Sequence, residues 1–340
     1  VLVPEFVPGG AGMVRGVAHG VPFGAPRAVE ELQGEWSRCD VVCTPSETAG
    51  CEQLRKAGAP ATAFTGVGGV VNGFSAHASW SASFMGPSVR EFTADGTPSV
   101  EALPADASDV SGCRLIISVA MPAGGPIASV SKEIAARTSA KGGVSVTTTI
   151  KVREAVSLPV GLPITFRLPQ GEAGQLSLSA GDFEFGLTAP FQAHQEGAAL
   201  AAGSSFEALA AVPMAVSGAG VGLGASTAPV DLSSLPCHAK GGQAVVGALQ
   251  LCGVDGQATI TSALHNTAVH VAWDALQLPS ALLQLQRGKL VLVPCASAFD
   301  LGSSVSNASN PLTSRGISTS VMISPDQPLE MAVTLTAKSV

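Results

Sequence analysis

Gln257-Ala-Thr-Ile-Thr-Ser-Ala263 and Ala268-Val-His-Val-Ala-Trp273 decide the fold class. β-branched and apolar residues alternate there with small polar ones, the period-2 pattern of strands that turn one face to a core. The same alternating or β-branched character predicts strands over Ser79–Met85, Cys113–Met121, Gly143–Val152, Ile164–Leu168, Gln175–Leu187, Lys289–Pro294, Ile317–Ile323 and Leu329–Ala337. Gly, Pro, Ser and Asp clusters lie between them, as in Pro122-Ala-Gly-Gly-Pro126 and Pro169-Gln-Gly-Glu-Ala-Gly174, and these supply turns.

Helical candidates are few and short: Arg27–Arg38, Ser131–Thr138, Ser205–Ala211 and Ser280–Gln286. They do not recur between strands as a parallel βαβ sheet requires. The expected class is therefore all-β, with antiparallel β-sandwich domains and a few short helices. A chain of 340 residues exceeds the usual single domain, so two units of roughly 150 to 180 residues are expected. Leu158-Pro-Val-Gly-Leu-Pro163 reads as a Pro-stiffened connection, which places one sandwich at 1–157, incomplete at its N-terminal end, and a second at 158–340. Gly66–Gly73 and Gly218–Gly224 read as flexible loops.

Hydrophobic residues make up 46% and charged residues 13% of the sequence, against roughly 25% charged in soluble globular proteins. So little charge suits faces covered by neighbouring subunits, because it spares the desolvation of ions at a permanent contact. The formal net charge is −7, and no Lys/Arg run resembles a basic arm that neutralises many phosphates. No stretch reaches the roughly 18 apolar residues of a membrane span. The chain starts Val1-Leu-Val-Pro-Glu5, without Met and without the basic-then-apolar order of a secretion signal, as expected of a piece cut from a precursor or an incomplete chain. Tyrosine is absent, and no mechanism follows from that.

The residues offer little chemistry. Gly220-Val-Gly222-Leu-Gly-Ala225 satisfies G-x-G-x-x-A, but Ser226-Thr-Ala-Pro229 follows where a cofactor loop must open into a helix, so a surface loop is expected. Cysteines stand at 39, 43, 51, 113, 237, 252 and 295, an odd and scattered set that favours a reducing compartment over a disulfide scaffold. Cys39-x3-Cys43-x7-Cys51 and Cys237-His238 lack the paired spacings of a zinc site, and buried thiols are expected. His265 and His270 are five apart, which in a strand puts them on opposite faces; His19, His77, His194 and His238 are isolated. No Gly-x-Ser-x-Gly elbow anchors a nucleophile. Glu30, Glu31 and Glu35 read as a solvated helix face, and Trp36, Trp80 and Trp273 as core anchors rather than a stacking platform. Asn307-Ala-Ser309 is a lone glycosylation sequon. No catalytic, metal or cofactor residue is assigned.

Val1-Leu-Val-Pro-Glu-Phe-Val-Pro-Gly-Gly10, and in order Ile164-Thr-Phe-Arg-Leu-Pro-Gln-Gly171, Gly256–Ser262, Ala268–Trp273 and Lys289-Leu-Val-Leu-Val-Pro294, resemble strands of picornavirus-like capsid proteins, above all the large coat protein of comovirus-type plant viruses. The likeness spans about half of the chain. It implies jelly-roll domains, polyprotein processing and a non-enzymatic structural role in an icosahedral shell. The implied partners are other copies of the chain, other capsid subunits and encapsidated RNA held without a basic tail. The implied location is the virion, assembled in the host cytoplasm. A secreted or cell-surface β-sandwich adhesin or carbohydrate-binding module is the alternative expectation, and a hydrolase with a dispersed Ser/His/Asp triad the third.

Overall fold

The computed structural model describes residues 114–120, 126–136, 143–168, 174–190, 198–215, 229–238, 242–286, 288–299 and 303–339, together with the backbone of two further strands at 14–17 and 81–85. Almost all of the regular structure is antiparallel strand, as the alternation predicts. The first sheet has the order β1 (Val14–Val17), β8 (Ile164–Arg167), β20 (Lys289–Ala296), β19 (Ser280–Gln286), β16 (Val245–Cys252), β10 (Phe185–Thr188), β12 (Ser205–Phe206). Two short strands join it, β7 (Val160–Gly161) on β20 and β11 (Ala198–Ala199) on β16. The second has the order β15 (Ser234–Leu235), β9 (Leu176–Ser179), β17 (Gln257–Ser262), β18 (Thr267–Trp273), β22 (Leu329–Ser339), β5 (Val144–Val152), β4 (Ile127–Ala136), β3 (Arg114–Ala120), β2 (Ser81–Met85). Two-stranded pairs β13 (Val212–Pro213) with β14 (Pro229–Val230), and β6 (Val156–Leu158) with β21 (Val321–Ile323), complete it. Val144–Val152, which precedes the expected boundary at 157/158, pairs with the C-terminal Leu329–Ser339 inside one sheet.

The sheets pack face to face. Val130, Val146, Ile150, Ile260, Val269, Val271, Met331 and Val333 from the second meet Ile164, Phe166, Leu249, Leu251, Leu283, Leu285, Leu290 and Leu292 from the first in one buried core. Among the described residues the second sheet is covered on this side only, and β17 accordingly alternates exposed or half-buried with buried residues. The first sheet is covered on both. Cys252, Leu282, Val291, Val293 and Cys295, on its other face, lie under Ala298, Phe299, Leu312 and Ile317 of the segment that follows β20. Seven consecutive residues of β20 are buried for this reason, which is why Lys289–Pro294 reads as a continuous apolar run.

Gln250 fastens that covering segment. Its side-chain amide donates to the Ser297 carbonyl at 2.7 Å and its oxygen accepts from the Phe299 amide at 2.7 Å. Downstream, the Asn310 oxygen accepts from the backbone amides of Leu312 and Thr313, and its amide donates to the Thr319 hydroxyl at 3.1 Å. A single buried side chain thus satisfies two backbone groups that no strand partner could reach.

Four local expectations are corrected. Of the expected helix Ser131–Thr138, Ser131–Ala136 belongs to strand β4 and the last two residues lie outside the described ones; Ser280–Gln286 is strand β19. Their Ala, Leu, Gln, Lys and Glu residues favour helices in isolation, but both segments are hydrogen-bonded between two neighbouring strands, and packing overrides propensity. Over Ser205–Ala211 only Leu209–Ala211 is helical, as one 3-10 turn. Gln175–Leu187 is two strands, β9 and β10, in different sheets. The chain crosses between them through Gly181, whose φ of +67° and whose absent Cβ, which would stand 2.1 Å from the Asp255 carboxylate, require glycine. Arg27–Arg38 and both Gly-rich loops lie outside the described residues.

Replacing Gln250 by Leu keeps the volume but strands the Phe299 amide and the Ser297 carbonyl. It is expected to destabilise the fold by about 1–3 kcal/mol, read as a lower urea midpoint at unchanged slope.

Candidate functional site

Polar side chains gather on the open face of the second sheet. Register places them in rows across strands. Ser179 on β9, Thr259 on β17, His270 on β18 and Thr336 on β22 are successive partners. Beside them, Ser177, Thr261, Ala268 and Lys338 form the next row, and Gln257, Ala272, Thr334 and Ser145 the one on the other side. The inward neighbours of these residues, such as Ile260, Val269, Val271 and Leu335, are core, so the alternation of each strand turns the hydroxyls outward.

His270 is half-buried in the middle of this face, and its Nδ1 is 3.1 Å from the Thr259 hydroxyl. Partial burial lowers the imidazole below its usual 6.5; the Lys338 ammonium acts in the same direction and the Asp255 carboxylate opposes both. The ring is therefore neutral at pH 7, with one nitrogen fixed by Thr259 and the other left for a proton or a hydrogen-bond partner. Such a ring can accept a proton from a hydroxyl group or return one.

His265 is not a partner of His270. It sits exposed in the turn between β17 and β18, with its backbone amide on the Ser262 hydroxyl. Trp273 is the core anchor its isolation suggested, 9% exposed, its indole donating to the Leu278 carbonyl at 3.1 Å. Cys237, Cys252 and Cys295 are buried thiols outside any disulfide. Burial, with a smaller contribution from Asp231, pushes Cys237 up to about 11; burial raises Cys252 to about 12. Cys252 and Cys295 are both register partners of Ser280, one on each side, so a full strand separates them. At about 4.8 Å per strand spacing their Cα atoms lie beyond the reach of a disulfide. Asn307 is exposed, and its amide donates to the Ser157 carbonyl at 3.0 Å. Cys39, Cys43, Cys51, Cys113, Trp36, Trp80, the glutamates at 30, 31 and 35, and the Gly220–Ala225 motif lie outside the described residues. Among the described residues no group of three or more His, Cys, Asp and Glu could hold a metal ion.

The sequence reading set His270 aside because it makes no pair with His265. The signal that could have found it is the Thr259-Ile-Thr261 alternation opposite Val269-His-Val271, which gives both segments an outward polar row; their mutual register is not written in either.

No protein-family model and no curated protein matches the sequence. Solved structures with a similar arrangement include a protein of Escherichia coli K12 assigned as an aldose 1-epimerase, at 12% identity and a TM-score of 0.45 over 88% of this chain and 89% of that one. A galactose mutarotase-like protein of Clostridium acetobutylicum aligns at 11% identity and a TM-score of 0.44, over 79% of this chain and 69% of that one. A galactose mutarotase-like protein of Lactobacillus casei aligns at 12% and 0.41, over 79% and 76%. At these values no residue role passes from them to this chain. They are sugar-epimerase-like proteins of bacteria and not viral coat proteins, and no family or curated match supports a coat protein. The capsid resemblance is corrected accordingly, together with the shell function, the non-enzymatic role and the virion location it implied. The strand segments that carried it owe their pattern to burial on one or both faces of a sheet, a constraint common to unrelated β proteins.

Two outcomes are expected here. In a histidine-resolved NMR titration His270 takes its proton below pH 6.5, and Lys338→Met moves the midpoint up towards 6.5 without reaching it, since burial remains. Because the folded state lowers this pKa, protonation favours unfolding, and any contribution of His270 to stability is lost as pH falls below 6.5. Alkylation at pH 8 followed by peptide mapping is expected to leave Cys237, Cys252 and Cys295 unmodified until denaturant is added.

Proposed function

We propose that the chain acts on a polyhydroxylated small molecule laid across the open face of the second sheet, with His270 exchanging a proton with one of its hydroxyl groups. The row Ser179, Thr259, His270, Thr336 carries this reading. Hydroxyls both donate and accept, as a polyol does, so the row can meet either half of each ligand hydroxyl. A charged ligand finds little on it: among the three rows only Lys338 carries a charge at pH 7.

No aromatic ring stands in these rows, so hydrogen bonds alone hold the ligand. Four of them at about 1 kcal/mol net each give about 4 kcal/mol, which is millimolar affinity. A neutral imidazole within such a row contributes to proton transfer on the order of 10²–10⁴-fold. Aldoses are the first compounds to try, a choice that follows the name of the Escherichia coli neighbour.

The test is the interconversion of aldose anomers, followed by NMR against a buffer blank at matched pH. Wild-type protein is expected to accelerate it, His270→Asn to lower that acceleration about 100-fold, and Thr259→Val to lower it less. Equal rates with and without protein, across a panel of aldoses and their polyols, would sink the reading. So would full activity in His270→Asn.

A further inference from the structure

The polar rows do not end at β22. Beyond it, β5 turns Ser145, Thr147 and Thr149 to the same face, and β4 turns Ser129 and Ser131. Their inward neighbours Val146, Ile150 and Val130 are core, which fixes this orientation. Thr334 of β22 pairs with Ala272 on one side and with Ser145 on the other, and Thr149 pairs with Ser131. The polar face therefore runs without a break from β9 to β4. One motif recurs along it: β9, β17, β22, β5 and β4 each carry two outward hydroxyl residues two positions apart, as in Thr259/Thr261, Thr334/Thr336 and Thr147/Thr149. They form an array with about 6.8 Å between hydroxyl residues along a strand and about 4.8 Å between strands.

The charges, the side-chain types and the spacing together choose the occupant. Charges on this part of the face are few and of both signs: Glu330 and Lys338 near the two ends of β22, Lys151 near the end of β5, and Glu133 paired with Arg114 at 3.5 Å. Neither a polyanion nor a polycation finds an attractive field there, so the occupant is neutral. The outward positions of these six strands hold no Phe or Trp, so affinity has to be gathered from many hydrogen bonds, more than one sugar unit can make. The strand spacing of about 4.8 Å is close to the repeat of one pyranose unit in an extended chain, so successive units meet successive strands. Neighbouring strands are rotated by roughly 20–25°, a twist that a chain flexible at each glycosidic bond follows and a rigid crystal lattice does not.

We propose that this face binds a linear, neutral oligosaccharide running across the strands, with one unit at His270 and further units over β22, β5 and β4. The inference rests on the polyol reading of the His270 rows and extends it from a small molecule to a chain. Hydroxyls of the face donate to and accept from the hydroxyls of each unit, as the single row at His270 does.

The experiment is calorimetric titration of the wild-type protein with glucose and with α-1,4- and β-1,4-linked gluco-oligosaccharides from the disaccharide to the hexasaccharide. With one linkage or both, affinity is expected to rise about fivefold per unit, the factor that one net hydrogen bond contributes, up to the tetrasaccharide that spans β18 to β4. Thr147→Val combined with Thr149→Val keeps the β-branched shape and removes two hydroxyls. It is expected to weaken hexasaccharide binding about 25-fold, two such factors, with the NMR titration midpoint of His270 unchanged. If that variant does not fold, Ser129→Ala combined with Ser131→Ala takes its place. Equal affinity for glucose and for every oligosaccharide of both linkages overturns the proposal, as does undiminished hexasaccharide affinity in the variant. So does a second copy of the chain on this face, seen in sedimentation as a dimer that the β5 variant dissociates. Length-dependent binding without anomer interconversion would keep the platform and sink the proton exchange at His270; interconversion without length dependence would do the reverse.

Discussion

Contact between the two inner sheet faces is the constraint on which the rest of the molecule depends. Phe166, Ile164, Leu249, Leu251, Leu290 and Leu292 are almost wholly removed from water there, in one core with buried residues of the second sheet. Each fully buried side chain of this size is worth about 1.5–3 kcal/mol relative to exposure. That gain offsets the ordering of many short strands joined by turns, several of which contribute only two residues to a sheet. It also fixes which residues face outward, because register and alternation leave no freedom once one face is committed.

The two outer faces then differ. On the first sheet the outward row remains apolar enough to need covering, and the segment after β20 supplies Phe299, Leu312 and Ile317 for it. Phe299 adopts a φ of +53°, a conformation uncommon for a bulky residue, and its backbone amide is held by Gln250. On the second sheet the outward rows are mostly Ser and Thr around His270, and no comparable segment covers them among the described residues. One sheet is therefore a structural centre, and the other presents a hydrogen-bonding surface.

Lys132 stands against this division of labour: it is 3% exposed at an inward position whose neighbours along β4 and β5 are apolar or, at Thr148, a small hydroxyl.

Particular residues show how much could be read in advance. Gln257–Ala263 and Ala268–Trp273 predicted β17 and β18 to within a residue or two, because period-2 alternation is a local property. Ser280–Gln286 misled, since Leu and Gln favour a helix until two strands flank them. Ser131–Thr138 misled in the same way. His270 looked solitary because Thr259 and Thr336 become its neighbours only through the pairing of three strands. By itself, then, the sequence determined the β class, most of the central strands and the turns between them, all of which rest on side-chain pattern and backbone preference over a few residues. The tertiary structure alone decided the register, the second core under Phe299 and the faces on which His270 and Lys132 lie. Alternation defines two faces for every strand, but which neighbour each face meets is settled by packing between residues more than a hundred positions apart.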